Sequence, residues 1–245
     1  MSGSLFVNEV YLSLQGESTF AGLPCVFVRL TGCNLRCSYC DTAYAFTEGS
    51  RRTLVEIRDE VHRLAASFPG GQVGGHRLPL VEFTGGEPLL QAAAPALMGA
   101  LCDDGFTVLV ETSGNPDIGV LDPRVRRIMD LKTPSSGESG RIRWENLPLL
   151  RPDDEVKFVI ATREDYAWTK TIIAEHRLAE RCAILLSWAA PLASHQRDKS
   201  LKAVPEDHTP VTRSELVESI IADRLPVRFQ LQMHKFVWPP DQRGV

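Results

Sequence analysis

Short apolar runs separated by turn-forming residues set the pattern of this chain. Seven of them read as strands: 24–30, 80–84, 107–111, 128–131, 156–160, 183–187 and 227–231. They are short and almost continuously apolar, and several are rich in Val and Ile, as expected of strands covered on both faces of a parallel sheet. Helical periodicity fills the gaps. Thr53 and Glu56 have the spacing of a capping box, and Leu54, Ile57, Val61 and Leu64 follow at helical intervals. A second helix is predicted over 89–102 and a third over 164–176. A fourth begins near Thr212, where Glu215 completes another capping box ahead of Leu216, Ile220 and Ile221. Strands alternating with helices give βαβ units and a parallel sheet. Between Leu131 and Glu155 the helix signal fades, with Pro134, Gly137, Gly140 and Pro148 in the way. A complete eight-fold barrel therefore lacks material. The predicted class is α/β, an incomplete (β/α) barrel with about six parallel core strands in a single domain over 1–245. Its active-site residues belong at the C-terminal ends of the strands.

Composition narrows the partners. The 245 residues are 43% hydrophobic and 24% charged, with a formal net charge of -4. No long basic run offers a nucleic-acid footprint, although local Arg and Lys can still serve a small anionic substrate. No stretch approaches 18 apolar residues, so no membrane span is predicted. Residues 1–15 lack the basic and apolar regions of a secretory leader. The expected location is the cytoplasm, where thiols stay reduced. Of six cysteines, three fall within eight residues. Cys25, Cys102 and Cys182 lie in apolar surroundings and read as small core hydrophobes.

The clustered three are Cys33, Cys37 and Cys40, at C-x3-C-x2-C spacing directly after the 24–30 strand. A structural zinc site takes four ligands, and the next histidine, His62, lies on a predicted helix face. A [4Fe–4S] cluster normally takes four thiolates, so three leave one iron open to a ligand. A zinc or purely electron-transfer centre is the competing reading. A second motif, Thr84-Gly85-Gly86-Glu87-Pro88, ends the next strand. Glycines let backbone approach a ligand closely and the Glu could pair with an ammonium group, but a strand-to-helix turn with Pro near its start would look the same. The following strands end in Glu111-Thr112-Ser113-Gly114-Asn115 and in Asp130-Leu131-Lys132-Thr133-Pro134-Ser135-Ser136. Alone, each could be a turn or a helix cap.

Taken together, the cysteine spacing and a Gly-Gly-Glu motif one strand and one helix later resemble the radical S-adenosylmethionine superfamily. The resemblance implies that the open iron binds the amino and carboxylate groups of S-adenosylmethionine. It places Tyr39, Asp41, Gly85, Gly86 and Glu87 at the cofactor, Glu87 on its amino group. Ser113 and the run Lys132, Thr133, Pro134 and Ser135 become its ribose and carboxylate contacts.

Further segments are more selective. The stretch 10–18, with Gln15-Gly16-Glu17-Ser18, resembles the S-x-Q-G-E-G of the 7-carboxy-7-deazaguanine synthase family, with Ser18 where Gly is usual. Segments 28–35, 40–42, 84–88, 111–114 and 231–235 match in order. The Gln-Gly-Glu, the Asp41-Thr42 pair and Gln232-Met233-His234-Lys235 select this family. What the resemblance implies is a ring contraction of 6-carboxy-5,6,7,8-tetrahydropterin to 7-carboxy-7-deazaguanine with loss of ammonia, on the route to queuosine and deazapurines. The reaction needs the cluster, S-adenosylmethionine and Mg²⁺. Thr42 is then the Mg²⁺ ligand, a hard oxygen suited to that ion, where it could otherwise be an ordinary turn residue. Leu14, Gln15, Gly16, Arg29, Thr84, Glu111, His234 and Pro240 become substrate contacts, so the short N- and C-terminal extensions contribute to the site. The planar fork of Arg29 suits a carboxylate, or one half of a buried ion pair. His234 could equally be a structural histidine. Family members commonly end near the proline that here is Pro240, and the tail from Asp241 to Val245 displaces the terminal carboxylate. A flavodoxin- or ferredoxin-type donor and a homodimer are implied as partners. The rival readings are a glycyl-radical-enzyme activating enzyme and a non-catalytic iron–sulfur protein. The second leaves Gly85 to Glu87 without a ligand.

Overall fold

The computed structural model describes residues 2–68, 70–239 and 242–245. In chain order the elements are β1 (Ser4–Leu14), β2 (Pro24–Leu30), β3 (Ser50–Thr53), α1 (Leu54–Ala65), a small hairpin of β4 (Gln72–Val73) and β5 (His76–Arg77), β6 (Leu80–Gly85), α2 (Ala94–Asp103), β7 (Val108–Thr112), β8 (Arg126–Asp130), β9 (Glu155–Ile160), α3 (Arg163–Glu175), β10 (Ala183–Trp188), α4 (Arg213–Ala222), β11 (Arg228–Gln230) and α5 (His234–Val237). Nine strands form one sheet in the order β11-β10-β9-β8-β7-β6-β2-β1-β3. From β2 to β11 all pairings are parallel, while β1 and β3 join antiparallel at one edge. The predicted α/β class with a parallel core forms, with seven parallel strands among the described residues where about six were expected.

Sidedness follows the two-residue period of a strand. Val26, Val28, Leu30, Val81, Phe83, Val108, Val110, Val156, Phe158 and Ile160 face outward into the main core, where helical residues such as Ile57, Val61, Leu97, Met98, Ile172 and Leu216 cover them. Burying each such side chain stabilises by about 1.5–3 kcal/mol. The alternate positions face inward. Near the strand starts these are Cys25, Phe27, Leu80, Leu109 and Ile128, which pack with Phe20 in a second apolar cluster. Further along the same faces come Arg29, Glu82, Thr84, Glu111, Asp130 and Lys157, all lining one cavity. The segment after β1 crosses the open side of the sheet: the Ser18 N–H donates to Gln230 Oε1 at 2.9 Å and the Thr19 N–H to Glu155 Oε1 at 3.1 Å. Those contacts join β1 to β9 and β11, seven places away at the far edge, and require a curled sheet.

Local expectations fared unevenly. The capping box of α1 forms, with Glu56 N 3.2 Å from Thr53 Oγ1 and Thr53 N 2.7 Å from Glu56 Oε2, and that of α4 forms likewise. Thr162 and Asp165 add a third, unforeseen, at the start of α3. The single helix expected over 89–102 is two pieces, a 3-10 turn at Pro88–Leu90 and then α2. Gln91 breaks it with extended backbone, and its amide clamps the Phe6 N–H (2.8 Å), the Phe6 carbonyl (2.9 Å) and the Thr31 carbonyl (3.0 Å). The helix-poor stretch after Leu131 forms only 3-10 turns, at Pro134–Ser136, Ser139–Arg141 and Trp144–Leu149.

Candidate active site

The cysteine loop leaves β2 without regular structure and is held from several sides. The Gly32 N–H donates to Ala45 O (2.8 Å), and Glu87 N and Gly86 N donate to Gly32 O (2.8 Å) and Leu30 O (3.0 Å). Gly85 has φ +124°, and a Cβ on either Gly85 or Gly86 would collide with the backbone of Leu30 and Gly32. The glycines are therefore demanded first by the seating of the cysteine loop on the end of β6. From the other side, Ser38 donates through its N–H to Ser136 O (3.1 Å) and through Oγ to Ser135 O (2.7 Å). Ser135 in turn donates to buried Asp165, from N at 2.8 Å and from Oγ at 2.5 Å. Asp165 also caps α3 by accepting from Ala161 N and Thr162 N at 3.0 Å. One carboxylate thus ties a helix start to the loop between Cys37 and Cys40.

All three cysteines of the loop are free thiols facing the same cavity of about 650 Å³. Burial pushes the Cys37 thiol up to about 12 despite nearby Lys132, and raises Cys33 and Cys40 as well. Deprotonated sulfur here calls for a cationic partner. Tyr39 lies within the loop and Lys132 stands beside it, Lys132 Nζ 2.7 Å from Asp130 Oδ2.

The inner faces of β6 to β9 make a polar floor. Lys157, 3% exposed at its side chain, reaches Glu111 Oε1 at 2.5 Å, Glu17 Oε2 at 3.1 Å and Asp130 Oδ2 at 3.5 Å. Burial works against its charge, but these three carboxylates hold it firmly protonated. Glu82 lies on the same floor, 2% exposed, and accepts from Gln15 Nε2 at 2.5 Å. Burial and the neighbouring charge of Glu111 push its carboxyl well above the usual range. Gly16 brings β1's end against α5: a Cβ there would lie 3.3 Å from His234 Nδ1.

On the cavity wall, Arg29 Nε pairs with Glu9 Oε1 at 2.7 Å and Nη2 donates to Tyr11 Oη at 2.8 Å. Its guanidinium lies 5.9 Å from the ring centres of both Tyr11 and Tyr44. Next to Thr42, Asp41 forms an ion pair of 2.6 Å with Lys235. Burial alone would raise the Asp41 carboxyl, but Lys235, His234 and Arg29 hold it down to about 2. Burial lowers His234 and favours its neutral ring.

The structure brings most of the sequence-predicted residues to this one cavity. Leu14, Gln15, Gly16, Arg29, Tyr39, Asp41, Thr42, Thr84, Gly85, Gly86, Glu111, Ser113, Lys132 and His234 all line it with the cysteines. Four others stand behind its wall. Glu87 is fully buried and accepts from Leu89 N (3.1 Å), Thr112 Oγ1 (2.8 Å), Ser113 N (2.8 Å) and Ser113 Oγ (2.6 Å). Thr133 donates to Val159 O at 2.9 Å, and Pro134 and Ser135 shape the turn that grips Ser38. Pro240, and with it Asp241, lies outside the described residues, while 242–245 line the cavity. Sequence reasoning missed Lys157, Glu82, Glu17 and Asp130 as a connected group. The available signal was charge at inward positions of otherwise apolar strands.

Comparison with known proteins decides the relationship. The Radical SAM superfamily pattern matches residues 27–177. The 7-carboxy-7-deazaguanine synthase of Koribacter versatilis is 42% identical over 98% of this chain and 99% of its own. That of Chlorobaculum tepidum is 41% identical over 98% and 97%. The chain belongs to the 7-carboxy-7-deazaguanine synthase family of radical SAM proteins. The crystal structure of QueE from Escherichia coli has the same fold, with a TM-score of 0.67 and 22% identity over 94% of this chain and 95% of that one. SuiB of Streptococcus suis bound to S-adenosylmethionine, at 12% identity, shares the fold over 82% of this chain and 48% of its own, with a TM-score of 0.55.

Membership in the superfamily brings a [4Fe–4S] cluster and S-adenosylmethionine, and the cysteines present fit the cluster. Three thiols face one cavity. Cys25 is sealed in the inner apolar cluster, and Cys102 and Cys182 pack at the outer core, so none of them supplies a fourth sulfur there. Among the described residues no three His, Cys, Asp or Glu side chains converge as ligands of a single metal ion would. No helix of the described residues is long and apolar enough to cross a membrane.

Proposed function

We propose that this protein is a 7-carboxy-7-deazaguanine synthase, contracting 6-carboxy-5,6,7,8-tetrahydropterin to 7-carboxy-7-deazaguanine with loss of ammonia. One observation carries the reading. The three cysteines share a cavity with the Gln15–Glu82 and Lys157–Glu111 floor and with the Arg29 and His234 walls. A ring rich in N–H groups needs acceptors, and the carboxylates of Glu17, Glu111 and Asp130 meet two ammonium groups (Lys132, Lys157) in that floor. A pterin carboxylate needs a cation, and Arg29 lines the cavity. These fixtures favour a small heterocycle over the protein backbone that a glycyl-radical activating enzyme would bind.

Cys33, Cys37 and Cys40 hold the cluster. Tyr39, Asp41, Gly85, Gly86, Ser113 and Lys132 form the cofactor wall, with Thr133, Pro134 and Ser135 behind it. Glu87 would serve the methionine ammonium when the cofactor is bound. When bound, cluster and S-adenosylmethionine supply the radical chemistry, and the protein supplies position and electrostatics. Thr42 offers its hydroxyl to Mg²⁺, an ion that keeps several waters and takes substrate oxygens rather than an all-protein cage. Leu14, Gln15, Gly16, Thr84, Glu111 and His234 orient the ring. The N-terminal strand and the C-terminal segment thereby serve as extensions of one barrel domain. A flavodoxin- or ferredoxin-type protein supplies electrons, and the enzyme works as a cytoplasmic homodimer.

The test is turnover by the anaerobically reconstituted protein. Given reductant, S-adenosylmethionine, Mg²⁺ and the carboxy-tetrahydropterin, it should release 7-carboxy-7-deazaguanine and ammonia, and Cys37→Ala should release neither. Cleavage of S-adenosylmethionine with no deazaguanine from the pterin would refute the substrate.

A further inference from the structure

Glu82 has no cation of its own. Lys157 is shared among Glu111, Glu17 and Asp130, and among the described residues the donor that reaches Glu82 is the neutral amide of Gln15. The orientation of that amide is fixed: Gln15 Oε1 accepts the Glu17 backbone N–H at 2.5 Å, so Nε2 points at Glu82 Oε2. Oε2 is thus committed as an acceptor. The second oxygen, Oε1, belongs to a side chain that lines the cavity. A buried carboxylate with no cation beside another carboxylate is costly, and taking up a proton removes that cost. With Oε2 accepting, the proton belongs on Oε1.

We infer that Glu82, as a neutral acid, is a specificity-determining residue that donates a hydrogen bond from Oε1 to an acceptor atom of the heterocyclic substrate. Glu111, tethered to Lys157, accepts from the N–H groups beside it. A pyrimidinone edge presents this sequence, a carbonyl oxygen adjacent to ring and exocyclic N–H groups. The inference rests on the proposed substrate and adds a residue and a protonation state to it. The balance of its charged and titratable neighbours favours the neutral acid. Glu111 and Glu17 oppose ionisation of Glu82, as does burial, while Lys157 and the Gln15 amide favour it only in part. Tyr11 and Cys25, the remaining titratable neighbours, are themselves raised by burial and stay neutral.

The experiment compares wild type, Glu82→Gln and Glu82→Leu as cluster-loaded enzymes matched for iron content. Each is assayed with 6-carboxy-5,6,7,8-tetrahydropterin across pH. Glutamine keeps a neutral donor toward the cavity and an acceptor toward Gln15, whereas leucine keeps neither. Wild-type kcat/KM should fall as pH rises above neutrality and Glu82 ionises. Glu82→Gln should keep KM within about threefold and lose that alkaline limb, and Glu82→Leu should raise KM about tenfold or more. An alkaline limb unchanged in Glu82→Gln overturns the inference, and this holds even if Glu82→Leu fails to fold. So does a Glu82→Leu enzyme with wild-type KM. Those results leave the proposed function standing. A wild-type enzyme that makes no deazaguanine overturns both.

Discussion

Replacing Lys157 by Met should destabilise the protein by about 4 kcal/mol at pH 7.5. The ammonium is 3% exposed and meets Glu111, Glu17 and Asp130 at 2.5, 3.1 and 3.5 Å. At an effective dielectric constant near 20, each contact of about 3 Å is worth roughly 5 kcal/mol before desolvation. The gross loss does not survive, because a stranded carboxylate can take a proton. For a carboxyl of ordinary pKa about 4.3, that costs about 1.36 kcal/mol per pH unit above it, or about 4 kcal/mol at pH 7.5. The figure agrees with the roughly 3–5 kcal/mol lost when one partner of a buried pair is removed. The sign in pH follows. In the variant the carboxyl's folded pKa is raised above its unfolded value, so its stability deficit vanishes in acid and grows as pH rises. In wild type, Asp130 is lowered: burial opposes this, but Lys132 and Lys157 prevail. Its contribution is lost only as pH falls through and below the ordinary carboxylate range, so it does not alter the comparison between pH 7.5 and 5.5. Urea unfolding of cluster-loaded protein, followed by tryptophan fluorescence, should give a difference of about 4 kcal/mol at pH 7.5 and about 2 kcal/mol or less at pH 5.5. A difference under about 1 kcal/mol at pH 7.5, or one that widens toward acid, would refute the reasoning.

Arg29→Ala should weaken pterin binding about thirty-fold or more, the effect of roughly 2–5 kcal/mol for a desolvated charge pair, and Arg29→Lys should recover only part. Calorimetric titration showing wild-type affinity in Arg29→Ala would place the substrate carboxylate elsewhere. Thr42→Ala should raise the Mg²⁺ concentration needed for half-maximal product formation, and an identical Mg²⁺ curve would remove Thr42 from the ion's environment. Asp165→Ala breaks the link from the α3 cap to Ser135 and the cysteine loop. It should cost about 3 kcal/mol, from a lost cap and charge-assisted hydrogen bonds, and should speed bleaching of the cluster's visible absorbance. Unaltered cluster lifetime would show that Ser38 does not depend on that carboxylate.

The parallel core was legible because outward Val, Ile and Phe and inward Cys25, Leu80 and Leu109 make the starts of β2, β6 and β7 apolar on both faces. β1 was not read as a strand. Asn8, Glu9 and Ser13 interrupt its pattern, since its inner side faces the cavity mouth rather than a core. The cysteines and the Gly-Gly-Glu turn were legible as local motifs. The Lys157 floor was not, because its members come from four different strands and loops and acquire meaning only through the curl of the sheet. Ser18 marks another limit. It stands at φ +64°, the left-handed region, at the position where the family pattern has Gly, so the sequence registered the departure but not the backbone reason for it.

The sheet's two ends bear on the protein's behaviour in concentrated solution. Its margins are β3, four residues carrying Arg51 and Arg52, and β11, three residues opening with Arg228. An open sheet offers unpaired amide and carbonyl groups along both margins, a template on which another chain can assemble. Margins this short, studded with guanidinium groups, give a second molecule little ladder to extend and repel a like-charged approach. Variants that lengthen β11 with alternating apolar residues, or that neutralise Arg51 and Arg52 together, should precipitate at protein concentrations the parent tolerates.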